Sequence, residues 1–226
     1  MTSIFQRALG ADFDRLHPQM RRRFSVGIDS GEACIGRGTM DRIWHGRGLV
    51  RPFLALGGSR NVLLPQAGRD VPFTIENFPY LDSYGRETVT FVRTFAFPRR
   101  DRRFDATMVF SHERDCVVDY LGTHQHLATD LHFVVDAWGA LVIRSGAHRF
   151  REGPLDARVP DLIAGDAVVR EWYDDIARRF RIQVSVTNRR FGRLFGYGGS
   201  FTADFVDVEK YGVRDSLRPV REEARA

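Results

Sequence analysis

The chain has 226 residues, with 34 basic against 29 acidic side chains and a formal net charge of +5. Hydrophobic residues at 43% and charged residues at 28% exclude wholesale disorder. No run approaches the roughly 18 apolar residues of a membrane helix, and the first residues lack the apolar core of a signal peptide, so a soluble cytoplasmic protein is expected.

Lys210 is the only lysine, and the remaining basic residues are all arginine. A charge of +5 over this length makes a weak field. The arginine runs, such as Arg21-Arg22-Arg23 and Arg189-Arg190, sit among acids or beside turns. Neither zinc-finger spacing nor an aromatic RNA-binding strand is present, so nucleic acid is not an expected partner. Cys34 and Cys116 are distant and outside any CxxC, and read as apolar fillers.

The N-terminus reads as helical over 3–24. Ser3 can cap a first helix that Gly10 ends, and Pro18 suits the first turn of a second. Phe5, Leu9, Phe13, Leu16 and Met20 recur at helical spacings, so one face must pack on something.

From about Val26 to 210 the period becomes two. Val71, Phe73 and Ile75 alternate with polar residues, as do Phe104, Ala106, Met108 and Phe110. Phe180, Ile182, Val184 and Val186 repeat the pattern, and Phe201, Ala203 and Phe205 close the series. These are half-buried antiparallel strands, not the continuous apolar runs of a parallel sheet. Asp82–Gly85, Asp136–Gly139 and Asp174-Asp175 read as the turns between them. Leu127 to Asp130 also reads as a turn, Pro154 to Ile163 as a short helix, and Gly196 to Ser200 as a lead into the last strand. Arg214 to Ala226 is charged and reads as a frayed tail.

About ten strands in one meander leave exposed edges unless the sheet closes. The expected fold is therefore mainly β with some α: one domain over 1–226, an antiparallel meander closed or strongly curved into a barrel, with the N-terminal helices packed on it. The 18 phenylalanines suit such an interior because they need no polar partner.

Several chemistries are excluded. Glu209-Lys210-Tyr211 is no phosphate-binding GK[ST], and the glycines of 31–38 do not follow GxGxxG. No GxSxG elbow occurs, and His112-Glu113-Arg114-Asp115-Cys116 puts cysteine where HExxH needs its second histidine. His124, His126 and His132 could share a strand face and bind metal, but the turn read between them breaks the parity. No metal and no cofactor is expected.

Arg93 interrupts the apolar face of Val89, Phe91, Phe95 and Phe97, and Glu171 does the same beside Ala167, Val169 and Tyr173. An interior guanidinium must find an acceptor or face a wet cavity. Arg93 and Glu171 could pair as a structural bridge. Alternatively, Arg93 holds the acidic head of a ligand while Tyr120, Glu171 and Tyr173 line the same cavity, with His126 as a further polar candidate.

Phe5-Gln6-Arg7-Ala8-Leu9-Gly10 with Leu16-His17-Pro18, then Gly36-Arg37-Gly38-Thr39-Met40, Val71-Pro72-Phe73, Arg93-Thr94-Phe95, Asp119-Tyr120-Leu121-Gly122 and the Gly192 to Gly199 stretch resemble a bacterial family known as domain of unknown function four-one-six-six. The resemblance spans roughly Ile4 to Val208. It implies no catalytic residues. It does imply a partner: members often follow a saccharopine-dehydrogenase-like Rossmann domain, which this chain lacks. The leading expectation is a barrel that binds a small hydrophobic or amphipathic ligand. The alternatives are an accessory module docking on a dehydrogenase-like protein, and an enzyme using Glu171, Tyr120 and His126 for acid–base chemistry.

Overall fold

A computed structural model describes residues 2–46, 66–160 and 164–226. Helix α1 (Ile4–Leu9) starts at a reciprocal cap: Ser3 Oγ accepts from the Gln6 amide, and the Gln6 side chain accepts from the Ser3 amide at 2.8 Å. A 3-10 turn over Gly10–Arg15 leads to α2 (Pro18–Phe24), which has proline in its first turn. Phe5, Leu9, Phe13, Leu16, Met20 and Phe24 are all buried, as their spacing requires.

Among the described residues twelve strands follow: β1 (Glu32–His45), β2 (Gly68–Asn77), β3 (Pro79–Leu81), β4 (Glu87–Phe97), β5 (Arg100–Ser111), β6 (Cys116–Leu121), β7 (Leu127–Val135), β8 (Leu141–Glu152), β9 (Leu155–Arg158), β10 (Asp166–Asp174), β11 (Arg179–Asn188) and β12 (Gly192–Asp207). A short helix, α3 (Val208–Tyr211), ends this run. Ten of the strands close an antiparallel barrel in the order β1-β2-β4-β5-β6-β7-β8-β10-β11-β12, with β12 returning to β1 and β8 pairing with β10. β3 hangs on β4 and β9 on β8. Closure satisfies the edge amides that an open meander would expose.

The turns are held by aspartates. Asp136 Oδ1 accepts from the Trp138 and Ala140 amides between β7 and β8, and Asp82 Oδ1 does the same for Tyr84 and Arg86 before β4. The helices fill one end of the barrel: Phe5 packs edge-on against Phe24 and Phe91, and inward residues such as Val89, Met108 and Leu131 join the same core.

Four local expectations are corrected. Leu127 to Asp130 is the start of β7, because its backbone pairs with both β6 and β8. Leu155–Arg158 is strand rather than helix, pairing with Arg149–Glu152, and 161–163 lies outside the described residues. Gly196 to Ser200 lies inside β12 rather than before it. There the absence of side chains lets β1 and β12 run close: a Cβ at Gly38 or Gly199 would collide with the facing backbone.

The fourth correction is the tail. Leu217 and Glu223 are each 3% exposed. The strap is tied down by the Val220 amide to the Thr123 carbonyl at 2.7 Å, and by Arg86 Nη1 to the Ala224 carbonyl at 2.8 Å. Charge alone suggested fraying. Here the charges pair with one another and with the barrel, so the segment is ordered by contacts its own composition does not announce.

Candidate functional site

The barrel encloses a cavity of about 460 Å³. Its wall is mostly apolar, with Phe91, Phe104, Ile143, Val184, Leu194 and Phe195 among the lining residues, and Phe24 of α2 at the helix-filled end. Residues 157–160 with Ala164 and Gly165 bound the opposite end. Interiors of folded proteins hold few voids larger than a water molecule, so a space of this size is unusual for a packed core.

A few polar side chains interrupt that wall. Arg93, on β4, is 8% exposed, and its guanidinium lies between the Phe91 ring at 5.5 Å and the Phe104 ring at 4.9 Å. Asp119, on β6, is equally buried, and Tyr197, on β12, is 1% exposed. Arg93 Nε, Asp119 Oδ1 and the Tyr197 hydroxyl have no hydrogen-bond partner among the described residues. The three act on one another: burial pushes the Asp119 carboxyl up to about 7 despite the opposing pull of Arg93, and burial raises the Tyr197 hydroxyl against Arg93 as well.

Asp119 also begins a polar row. It sits opposite Thr129 on β7, which sits opposite His148 on β8, and Thr129 Oγ1 lies 2.8 Å from His148 Nδ1. Asp119, Thr129 and His148 all face the cavity.

Glu171 lines the cavity too, but not as the partner of Arg93. It forms a buried ion pair with Arg23, which α2 carries into the barrel. Arg23 Nη1 also donates to Asn77 Oδ1 at 2.9 Å, and Asn77 in turn donates to the Thr90 carbonyl at 3.0 Å. The Arg93–Glu171 bridge that the two strand faces allowed is not formed, because Arg23 of α2 takes the place of Arg93. That leaves Arg93 free of a carboxylate within ion-pair distance among the described residues.

Of the five residues singled out from the sequence, Arg93 and Glu171 meet at the cavity and three do not. Tyr120 follows Asp119 on β6 and therefore points to the other face. There it packs with Val109 and Val118, and its hydroxyl donates to the Arg225 carbonyl of the C-terminal strap. Tyr173 stacks on His17 at 5.1 Å and edge-on against Phe180. His126 lies in the β6–β7 loop, stacked on His124 at 5.6 Å, with Nδ1 2.7 Å from Glu152. An enzyme site built from Glu171, Tyr120 and His126 is thus dispersed over the molecule. The residues missed are Asp119, Tyr197, Thr129 and His148. Asp119 had a readable signal, since Val117, Asp119 and Leu121 alternate on one face; the others required knowing which strands face each other.

Among the described residues no group of three or more His, Cys, Asp or Glu side chains is placed to hold a metal. His112–Asp115 forms the turn between β5 and β6 and Cys116 opens β6, so the motif is not on a helix. No helix among the described residues is long and apolar enough to cross a membrane.

The sequence is 31% identical over 201 residues to an uncharacterized protein, YndH, of Bacillus subtilis (strain 168), an alignment covering 89% of this chain and 97% of that one. No solved structure matches. Residues 16–201, which include the barrel strands except for the last residues of β12, match the family described as "Domain of unknown function (DUF4166)", and the chain belongs to that family.

Proposed function

We propose that this protein binds a small hydrophobic or amphipathic molecule inside its barrel. The observation that carries this reading is the cavity itself: about 460 Å³, apolar over most of its wall, with three buried polar atoms left unpaired. Binding pockets share this design, a largely apolar enclosure of roughly 300–1,000 Å³ with a few convergent polar groups that fix orientation. Each unpaired atom costs stability unless something bonds to it, so a ligand head group or water belongs there.

Native mass spectrometry of freshly purified protein, repeated after denaturation, is the direct test. A reproducible extra mass lost on denaturation is the expected result. Nile red, a neutral apolar dye, should gain fluorescence on binding, and Ala167→Phe, which puts a ring into the cavity, should reduce that gain. A bare protein that leaves the dye unchanged would overturn the reading.

Catalysis is the second reading, and it now rests on Asp119 rather than on Glu171, Tyr120 and His126. A buried carboxyl titrating near neutrality, beside Arg93 and Tyr197, is the arrangement of a general acid or base. Turnover of the ligand recovered by mass spectrometry, lost in Asp119→Asn, would move the protein from binder to enzyme.

A further inference from the structure

The unpaired atoms say more than that a ligand binds; they restrict the chemistry of its head. This inference rests on the binding reading above.

Arg93 Nε and the Tyr197 hydroxyl both have hydrogens to donate, so together they ask for an acceptor. Asp119 Oδ1 stands in the same group, and an ionised Asp119 would repel any anion that Arg93 attracts. Burial resolves that conflict: its carboxyl is pushed up to about 7, so a neighbouring anion can hold it protonated and turn it into a third donor. The other charges at the cavity are already accounted for. Glu171 is neutralised by Arg23, and His148 is held through Nδ1 by Thr129. Arg158, on β9 opposite Arg149, has an interaction of its own.

The site therefore offers one uncompensated positive charge and three donors. A dianionic phosphate would bring one negative charge too many against Glu171 and Asp119. An ammonium would meet Arg93. An alcohol has a single oxygen and leaves part of the cluster unpaired. A carboxylate has one charge and two oxygens with about four acceptor sites. We infer that the ligand is an amphipathic monocarboxylic acid, its carboxylate accepting from Arg93 and Tyr197, and its apolar body lying among Phe91, Phe104 and Phe195.

The test is displacement of Nile red from the wild-type chain by decanoate, 1-decanol and decylammonium, which share a tail and differ in head. Decanoate should compete at least about tenfold more tightly than decanol, since a hydrogen bond to a charged group is worth roughly 1.4 kcal/mol or more. Decylammonium should be the weakest. Arg93→Gln should bring decanoate down to the level of decanol, and Tyr197→Phe should weaken decanoate alone. Decanol equal to decanoate on the wild type would overturn the head-group inference and leave the cavity reading standing. So would a preference for the acid that survives in folded Arg93→Gln. The wild-type comparison decides the matter even if a variant fails to fold. Failure of the dye and all three amphiphiles to bind would instead remove the binding reading itself, and this inference with it.

Discussion

Two buried carboxylates sit on opposite sides of the barrel wall and behave in opposite ways. Glu223, in the C-terminal strap on the outer face, accepts from Arg225 at 2.7 Å and from Arg221 at 2.8 Å, and these partners hold it down to about 2. Asp119, deep in the barrel and facing the cavity, has one oxygen with no partner, and burial raises it to about 7. The balance of burial against the supply of donors decides the state of a carboxyl. In the strap, Glu223 is matched by both Arg221 and Arg225. At the cavity Glu171 is matched by Arg23, while Arg93 and Asp119 each keep an unpaired polar atom.

The sharpest way to break this contrast is to open a matched pair. Arg23→Leu would strand Glu171 in the interior and should cost on the order of 3–5 kcal/mol, read from urea unfolding. Replacing both Arg23 and Glu171 by leucine should recover much of that loss, the coupling that marks a true pair. Arg93→Leu with Glu171→Leu should show no such coupling, and strong coupling there would mean that the pairing described here is wrong.

Asp119→Asn is expected to act in the other direction. The carboxyl is raised in the folded state, so between pH 4 and 7 the folded protein holds a proton that the unfolded chain has lost, and stability falls as pH rises through that window. A shift from 3.8 to about 7 corresponds to a loss on the order of 4 kcal/mol. Asp119→Asn should flatten that slope and raise the melting temperature near neutrality. Glu223 has the opposite sign: its depressed value contributes stability that is present above the ordinary carboxylate range and disappears as pH falls toward 2. Glu223→Gln should therefore erase part of the acid limb of the same profile. Identical profiles for wild type and both variants would remove the distinction between the two carboxylates.

The smallest effect separates two tyrosines. Tyr120→Phe removes a hydrogen bond to the Arg225 carbonyl and should cost about 1 kcal/mol. Tyr197→Phe removes a hydroxyl that has no partner, so the ligand-free protein should lose nothing or gain slightly. Equal losses would show that Tyr197 is already satisfied.

The β architecture was legible because side-chain alternation is a local property: Phe104, Ala106, Met108 and Phe110 announce an inner face without reference to any neighbour. Arg93 was legible for the same reason, as a charge out of place on such a face. The turn read at Leu127 to Asp130 failed because those residues look polar and irregular alone, while the ladder with β6 and β8 holds them extended. The strap failed because its charges suggest solvation until Arg86, Arg151 and Gln125 are brought to meet them.

Sequence alone therefore determined that a phenylalanine-rich antiparallel meander, closed or strongly curved, carries helices at its start and a charge inside, because periodicity and the cost of free edges act along the chain. That it closes fully is a fact of the tertiary structure. Only the tertiary structure decided which charges meet. Arg23 comes from a helix, Glu171 from β10, Arg93 from β4 and Tyr197 from β12, and the closure of the barrel sets their neighbours. Pairing between residues so far apart depends on register and curvature, which no local pattern encodes. That assignment gave Glu171 its partner and left Arg93, Asp119 and Tyr197 facing a space for something else to fill.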